Sequence, residues 1–321
     1  MPEPRRELAD LPPALHGGDA PSGVLDFSTG VSPLPPPPTV MAAWRAADVT
    51  RYPHPTALPL REAIAARHGV SADEVVVGAG SVELIWALAR AFGGAGRRVG
   101  FVAPAFGEYA QAARASGAAV AAVDVDGACD LLFVARPGNP TLAVPSVAAI
   151  EAARAALVVV DEAYQPLCDD VPPLAPTDRV AVLRSLTKVF ALPGLRLGYL
   201  VASRVVARAA QAALPPWNVS QPAAAAGVAA LAEPTEPVRA AVAELRARMV
   251  ARLAAIGVMP VVAGGTFVVV DVGDARGFTA AMLARGVRVR DCSSFGLPRL
   301  VRLGVRSDED QEKLVAAWRA P

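Results

Sequence analysis

The segment 179-RVAVLRSLTKVFALPGLRLGYL-200 combines the pattern of a buried strand with a lysine and an arginine in small, polar surroundings. Its first residues are mostly aliphatic and predict a strand that leads into Ser185. Lys188 directly follows Thr187, and Arg196 stands between glycines eight residues later. Two hydroxyls and a guanidinium could bind a dianionic phosphate, and a lysine amine can form an imine with an aldehyde. The alternative is an ordinary surface lysine after a strand.

Strands and helices alternate along the chain before this segment. Continuous apolar strands that alternate with helices predict an α/β fold, in which helices cover both faces of a mostly parallel sheet. The predicted strands cover 75–77, 99–102, 119–124, 131–135, 156–160 and 179–184, and the predicted helices cover 40–48, 58–69, 81–92, 106–116 and 146–155.

The pattern changes after about residue 205. Residues 35–38, near the other end of the chain, are a four-proline run that favours an extended backbone. The sequence therefore divides into an N-terminal arm (1–40), a large domain (41–205) and a smaller α+β domain (206–321). In the last of these we predict helices at 219–232, 236–256, 277–285 and 307–319, and strands at 265–271, 287–290 and 299–304.

The strand at 156–160 is followed by a carboxylate in an apolar setting, Asp161. Open α/β sheets bind ligands at the carboxyl ends of their strands. A buried carboxylate needs a partner, and a protonated pyridine nitrogen is one. Tyr164, three residues further on, could reach the phenolic oxygen of the same ring. The alternative is an aspartate that caps the N-terminus of a helix.

Two further turns follow predicted strands. Gly80 and Ser81 connect a strand to an apolar helix, and free N–H groups at a helix N-terminus attract phosphate. Asn139 lies in the stretch 136-RPGNPT-141 and could donate to the same phenolic oxygen. Each motif is weak by itself, because glycine turns and Asn-Pro turns are common.

The four motifs together, in this order, resemble those of the fold-type I pyridoxal-phosphate enzymes in the aminotransferase class I/II superfamily. The resemblance covers residues 16–319 and implies pyridoxal 5′-phosphate as the cofactor. One departure is Leu142, which replaces the glycine of the family's Asn-Pro-Thr-Gly motif. By resemblance, the catalytic residues are the Schiff-base lysine Lys188, the pyridinium partner Asp161 and Tyr164, and further cofactor contacts are Gly80, Ser81, Asn139, Ser185, Thr187 and the phosphate-binding Arg196.

Two aromatic positions complete the cofactor site that the resemblance implies. The residue that stacks on the cofactor ring falls within 104-PAFGEY-109, where we choose Tyr109 and hold Phe106 as the fallback. The stretch 51-RYP-53 resembles the family motif whose tyrosine reaches the cofactor phosphate of the neighbouring subunit. It implies a homodimer with shared active sites. The alternative for Tyr52 is a tyrosine at the start of a helix.

Within the superfamily, the chain is most similar to the branch that contains histidinol-phosphate aminotransferase and threonine-phosphate decarboxylase. The shared features are Tyr-Pro-x-Pro at 52–55, the stretch 216-PWNV-219 and two C-terminal arginines. By resemblance, Arg302 binds the carboxylate of the substrate and Arg290 binds its phosphate, and a guanidinium suits both groups. The alternative for each arginine is a surface ion pair.

Two N-terminal stretches favour the decarboxylase. The stretch 16-HGGD-19 resembles its His-Gly-Gly motif, and 26-DFSTGVSP-33 resembles a second motif, in which Ser32 replaces the usual asparagine. The resemblance implies that the His-Gly-Gly stretch helps to hold the substrate. By resemblance, the residues that bind substrate are His16, Gly17, Gly30, Asn139, Arg290 and Arg302.

The sequence therefore predicts a lyase that converts L-threonine O-3-phosphate to (R)-1-amino-2-propanol O-2-phosphate, the side-arm precursor of cobalamin. The alternative is an aminotransferase that acts on histidinol phosphate or a related amino phosphate. A third hypothesis is a protein that binds pyridoxal phosphate without catalysis. The His-Gly-Gly segment discriminates between the first two, because an aminotransferase of this branch lacks that leader.

The composition argues against several other classes of function. Lys and Arg number 31 and Asp and Glu number 30, so a net charge of +1 gives no reason to expect nucleic acid or a membrane as partner. Three cysteines and three histidines, all scattered, predict neither a disulfide framework nor a metal site. The longest apolar runs are far short of the roughly 20 residues that a membrane helix needs. No apolar secretory segment stands at the N-terminus, and we expect a cytoplasmic protein.

Overall fold

The computed structural model describes residue 3, residues 5–9, residue 11 and residues 15–320. Residues 1, 2, 4, 10 and 12–14 of the predicted arm lie outside this part of the chain, as does residue 321. The strands of the described part are β1 (Leu25–Asp26), β2 (Val75–Ala79), β3 (Arg98–Phe101), β4 (Ala119–Ala122), β5 (Cys129–Ala135), β6 (Ala155–Asp161), β7 (Val180–Ser185), β8 (Leu197–Val201), β9 (Pro260–Gly264), β10 (Phe267–Asp271), β11 (Val287–Arg288), β12 (Arg290–Asp291) and β13 (Leu300–Gly304).

The α-helices of the described part connect and cover these strands. They are α1 (Arg6–Ala9), α2 (Pro38–Ala46), α3 (Leu58–His68), α4 (Ser81–Phe92), α5 (Gly107–Ser116), α6 (Val147–Glu151), α7 (Arg204–Ala212), α8 (Gln221–Ala232), α9 (Glu236–Ala254), α10 (Ala275–Ala284) and α11 (Asp308–Arg319).

A seven-stranded sheet in the order β2-β8-β7-β6-β5-β3-β4 carries the larger set of helices. The strands β7, β6, β5, β3 and β4 pair in parallel, while β8 is antiparallel to both β2 and β7. The predicted α/β fold with a mostly parallel sheet is therefore confirmed. The prediction omits β8, because this strand begins directly after Arg196 in a glycine-framed segment that resembles a binding loop.

Both faces of this sheet are apolar, because successive side chains of a strand point to opposite faces and strands such as β6 carry apolar residues at consecutive positions. On β6, Leu157 and Val159 pack in the same cluster as side chains of α4, α5 and α7. Val158 and Val160 pack on the other face with Ile150 of α6. Helices on both faces leave the strand ends as the place where polar side chains can reach a ligand.

A second, antiparallel sheet has the order β12-β13-β10-β9. The predicted strands at 265–271 and 299–304 correspond to β10 and β13, whereas β9 and α7 were not predicted. The strand predicted at 287–290 is two strands, because this segment changes its pairing partner at Val289: β11 pairs with β1 and β12 pairs with β13. The strand β1 lies more than 250 residues before β11, so the sequence around Val289 carries no signal that marks this change of partner.

The N-terminal arm forms a third, two-stranded sheet with β11 and contacts residues that lie beside both larger sheets. In the parallel pair of β1 and β11, Leu25 lies opposite Val287. The N–H of Ser32 donates to the carbonyl oxygen of Lys188 at 2.9 Å, and Arg306 donates to the Thr29 hydroxyl at 2.7 Å. Residues 25–32 thus connect the C-terminal part of the chain to the loop that holds Lys188. The division into arm, large domain and small domain stays a prediction.

Candidate active site

The carboxyl ends of β5, β6 and β7 border a cavity of about 850 Å³. Parallel strands place their carboxyl ends along one edge of a sheet, so residues that follow different strands meet there. The structure brings together every predicted site residue except Tyr52. The cavity is lined by His16, Gly17, Gly30, Gly80, Ser81, Phe106, Tyr109, Asn139, Asp161, Tyr164, Ser185, Thr187, Lys188, Arg196, Arg290 and Arg302.

One end of the cavity carries the donors that a phosphate needs. Gly80 and Ser81 form the start of α4, where backbone N–H groups have no partner within the helix. The hydroxyl oxygens of Ser185 and Thr187 are 2.7 Å apart. A Cβ atom on Gly80 would lie 2.7 Å from Nη2 of Arg196, and Gly80 has a φ of 85°, so glycine alone leaves room for the guanidinium. This set of donors fits the phosphate of pyridoxal 5′-phosphate.

Asp161 is a buried carboxyl group at the carboxyl end of β6. The Tyr109 hydroxyl donates to its Oδ2 at 2.8 Å, and the N–H of Ala163 donates to its Oδ1 at 2.9 Å. Burial raises the pKa of Asp161, while these two hydrogen bonds and the charge of Lys188 act in the opposite direction. A protonated ring nitrogen would give this carboxyl group a counter-charge within hydrogen-bond distance. The residues therefore fit the pyridine ring as well as the phosphate.

The two aromatic candidates occupy different places. The ring of Tyr109 is stacked on Phe133 at a centroid distance of 5.0 Å, and the Tyr109 hydroxyl is bonded to Asp161. Phe106 precedes α5, and its ring lies 5.3 Å from that of His16. One face of the Tyr109 ring is thus covered and its position is fixed. Both rings line the cavity, so the choice of Tyr109 with Phe106 as the fallback stays a prediction.

Lys188 is half-buried, and its Nζ lies 5.8 Å from the centre of the Tyr164 ring. The sequence contains one other lysine, Lys313. That ammonium group pairs with Glu309 at 2.6 Å on an exposed face of α11. Lys188 is therefore the lysine side chain that an aldehyde in the cavity could reach.

Arg302 lies on β13 beside Asn139. Its Nη1 donates to the Asn139 Oδ1, and its Nη2 donates to the carbonyl oxygen of Ser28 at 2.8 Å. The guanidinium carbon lies 5.2 Å from the centre of the Phe267 ring. The Nε atom is buried and has no hydrogen-bond partner among the described residues. A buried, positioned guanidinium that lines the cavity is suited to bind a carboxylate.

Arg290 is held by oxygens that carry no full charge. Its Nη2 donates to the carbonyl oxygen of Leu15 at 2.7 Å and to the Ser294 hydroxyl at 2.8 Å, and its Nη1 donates to the carbonyl oxygen of Asp291 at 3.0 Å. Burial lowers the pKa of Arg290, and the positive charge of Arg302 adds to the effect. Both arginines are buried, so neither is the surface ion pair that we considered as the alternative.

Tyr52 lies outside the cavity. Its side chain is 84% exposed, and its ring lies 5.2 Å from that of Trp217. The predicted contact with a cofactor therefore requires a second copy of the chain, and it stays a prediction.

Glu108 and Ser28 also line the cavity, although our sequence analysis assigns no role to either. Oε1 of Glu108 lies 2.6 Å from His16 Nε2. A glutamate in the first turn of a helix usually has a local electrostatic role, so its position gives no signal for a contact with a distant residue. The Ser28 Oγ accepts from the N–H of Gly18 at 2.8 Å. Its sequence signal was the motif 26-DFSTGVSP-33, in which we selected only Gly30.

No helix among the described residues is both long and apolar enough to cross a membrane. They contain no group of three or more His, Cys, Asp or Glu side chains that could hold a metal ion. The three cysteines, Cys129, Cys168 and Cys292, form no disulfide bond.

Comparison with known sequences gives a family for the chain. The profile of the family "aminotransferase class I and II" matches residues 22–317. The histidinol-phosphate aminotransferase of Symbiobacterium thermophilum is 36% identical over 318 residues, which cover 90% of this chain and 88% of that protein. The histidinol-phosphate aminotransferase of Paramagnetospirillum magneticum is 34% identical, and the match covers 98% of this chain and 97% of that protein.

Solved structures show the same architecture. Histidinol-phosphate aminotransferase from Sinorhizobium meliloti, in complex with pyridoxal-5′-phosphate, has a TM-score of 0.81 and 26% identity, with 90% of this chain and 88% of that chain covered. L-threonine-O-3-phosphate decarboxylase from Porphyromonas gingivalis has a TM-score of 0.80 and 23% identity, with 92% and 98% covered. The second similarity shows a shared fold alone.

The fold and the cavity together define a fold-type I, pyridoxal-phosphate-dependent enzyme. The chain belongs to the aminotransferase class I and II family. The resemblance and the cofactor that we predicted from sequence are thereby confirmed. The curated relatives named above are aminotransferases, so they agree with our alternative hypothesis better than with the predicted lyase.

Proposed function

We propose that the protein is an aminotransferase that transfers the amino group of an amino phosphate, such as histidinol phosphate, to a keto acid. The observation that carries the proposal is that two buried guanidinium groups, those of Arg290 and Arg302, line the same cavity as Lys188. A site with two such groups suits substrates that carry one or two anionic ends. The identity of the curated relatives supports the same substrate class.

The side chains of the cavity have distinct tasks in this reaction. Pyridoxal phosphate, when bound, would stabilise the negative charge that develops at the substrate Cα. Asp161 would hold a proton on the ring nitrogen. The amine of Lys188 would take the proton from the substrate Cα and deliver it to the carbon that carried the aldehyde of the cofactor. Arg302 would bind the carboxylate of an amino-acid substrate, and Arg290 would bind a phosphate.

A second candidate function is the decarboxylation of L-threonine O-3-phosphate. The specific observation that favours it is that His16 and Gly17, the start of the His-Gly-Gly stretch, line the cavity beside Arg290. The same side chains would serve both reactions. The outcome depends on which bond to the Cα stands perpendicular to the cofactor ring, and Arg302 would control this orientation through the carboxylate.

The experiment that tests the proposal compares two reactions of the cofactor-loaded protein. One contains histidinol phosphate and 2-oxoglutarate, and the other contains L-threonine O-3-phosphate without a keto acid. We expect keto-acid-dependent turnover in the first, on the order of 1–10³ s⁻¹. Catalytic release of aminopropanol phosphate in the second would instead establish the decarboxylase. No turnover in either would contradict both candidates.

Two lysine variants serve as controls for these assays. Lys188→Ala should abolish turnover, because it removes the amine that moves the proton. Lys313→Ala should leave turnover unchanged, because Lys313 lies on the exposed face of α11. A Lys188→Ala protein that retains full activity would show that the measured reaction does not take place at this site.

We also propose that the protein is a homodimer in which Tyr52 of each subunit contributes to the other subunit's site. The support is the exposure of Tyr52 and Trp217, 84% and 47%, on a surface outside the cavity. Large exposed aromatic side chains that contact each other are typical of surfaces that bind another protein.

A further inference from the structure

The leader segment, residues 15–18, forms one wall of the cavity. The His16 ring lies 5.3 Å from that of Phe106, at an interplanar angle of 43°. The N–H of Gly18 donates to the Ser28 Oγ at 2.8 Å. The carbonyl oxygen of Leu15 accepts from Nη2 of Arg290 at 2.7 Å. The position of the leader therefore helps to fix the direction of the guanidinium that we assign to the substrate phosphate.

Glu108 connects this leader to the helices of the large sheet. Its carboxylate contacts His16 through Oε1 at 2.6 Å and accepts from the Trp86 indole N–H through Oε2 at 2.7 Å. Trp86 belongs to α4 and Glu108 to α5, so two helices hold this carboxylate in place. The side chain of Glu108 is 10% exposed, whereas that of His16 is 43% exposed. The fixed partner of the pair is thus Glu108, and the leader is the part that it holds.

We propose that Glu108 is a positioning residue, which fixes the His16 leader in the cavity and thereby aligns Arg290 for the phosphate of an amino phosphate substrate. This inference rests on the proposed function for the identity of the substrate, but its structural part does not. The hydrogen bond to His16 is the largest effect that lowers the pKa of Glu108, and it outweighs the effect of burial. The carboxylate is therefore ionised at neutral pH and able to accept both hydrogen bonds.

The test compares Glu108→Ala, Glu108→Gln and His16→Ala in the cofactor-loaded protein. Amide hydrogen exchange of residues 16–18 reports on the leader, and KM and kcat for the turned-over amino phosphate report on Arg290. We expect Glu108→Ala to accelerate the exchange by about tenfold or more and to raise KM by about tenfold with kcat nearly unchanged. Glu108→Gln can still bond to both partners, so it should preserve most of the protection and of KM.

Controls separate positioning from a merely structural role. Asp130→Asn removes a surface carboxylate that pairs with Arg97, and we expect it to change neither readout. His16→Ala should raise KM as much as Glu108→Ala, and the double variant should show no further increase, because each change breaks the same contact between His16 and Glu108.

Three results would overturn the proposal. The first is unchanged leader exchange in Glu108→Ala. The second is a higher KM with normal leader exchange, which would mean that Glu108 acts on the substrate directly. The third is loss of bound cofactor in Glu108→Ala but not in His16→Ala. If the wild-type protein turns over no amino phosphate, the proposed function fails, while the exchange experiment still decides whether Glu108 holds the leader.

Discussion

At Asp161, burial and hydrogen bonding act on the pKa of one carboxyl group in opposite directions. Burial raises the pKa and is the largest effect, while the bonds from Ala163 and Tyr109 lower it. A carboxyl group in this balance is costly to ionise without a cation beside it. The cofactor-free protein should therefore show a stability cost that the bound cofactor would relieve.

We predict that Asp161→Asn stabilises the cofactor-free protein at neutral pH. Below the ordinary value of 3.8 the carboxyl group is protonated in both the folded and the unfolded chain, so it contributes nothing to the difference. As the pH rises through the raised folded pKa, the unfolded chain is already ionised and the free energy of unfolding falls, by at most about 1.4 kcal/mol per pH unit. The variant lacks this fall.

Urea unfolding of both proteins at several pH values above about 4 measures the effect. Asp130→Asn is a control with the opposite sign, because hydrogen bonds from the Arg98 N–H and the Arg97 side chain lower the pKa of Asp130. That variant should lose stability by an amount that does not change with pH above the ordinary value of 3.8. A difference between wild type and Asp161→Asn that does not change with pH would contradict the prediction.

At the scale of elements, the strands β5, β6 and β7 are joined by a buried ion-pair network at their carboxyl ends. Glu162, directly after β6, has no exposed surface and pairs with Arg136 at 3.3 Å and with Arg184 at 2.9 Å. Arg184 also contacts His68, whose pKa is lowered to about 4 by burial and by the charge of Arg184. This network lies beside Asp161 and fixes the strand ends that carry the site.

We predict that Glu162→Gln lowers the free energy of unfolding by about 3–5 kcal/mol, because it leaves two buried arginines without a counter-charge. Urea unfolding at neutral pH is the measurement. Glu309→Gln, which removes a pair on an exposed helix face, should change stability little. Equal effects of the two substitutions would show that the buried network contributes no more than a surface pair.

At the scale of the whole molecule, one chain has a cavity that contains every predicted site residue but Tyr52. If the second copy supplies this tyrosine, a variant of Lys188 and a variant of Tyr52 should complement each other. A hybrid dimer of Lys188→Ala and Tyr52→Ala subunits contains one site with both defects and one site with neither. We expect about half of the wild-type activity from such a dimer, because the twofold symmetry gives two independent sites.

Co-expression of the two variants with different affinity tags isolates the hybrid for this measurement. The homodimers of each variant are the controls, and Lys188→Ala should be inactive. An activity of the hybrid no higher than the mean of the two homodimers would contradict shared sites, as would a monomeric mass of the active enzyme.

The sequence by itself determined the fold class and the cofactor, and it predicted residues that the structure brings into one cavity. Lys188, Asp161 and Asn139 follow buried strands, and parallel strands end along one edge of a sheet, so local patterns were enough to bring these residues together. The family and its cofactor followed from the order of these motifs.

The tertiary structure alone decided the relations between distant parts of the chain. It placed β8 antiparallel inside the seven-stranded sheet. It also formed the hydrogen bond from Tyr109 to Asp161 and the contact between His16 and Glu108, which are 92 positions apart in the sequence. The physical reason is that such contacts depend on how separate elements pack, which adds no periodicity or spacing to the sequence around either partner.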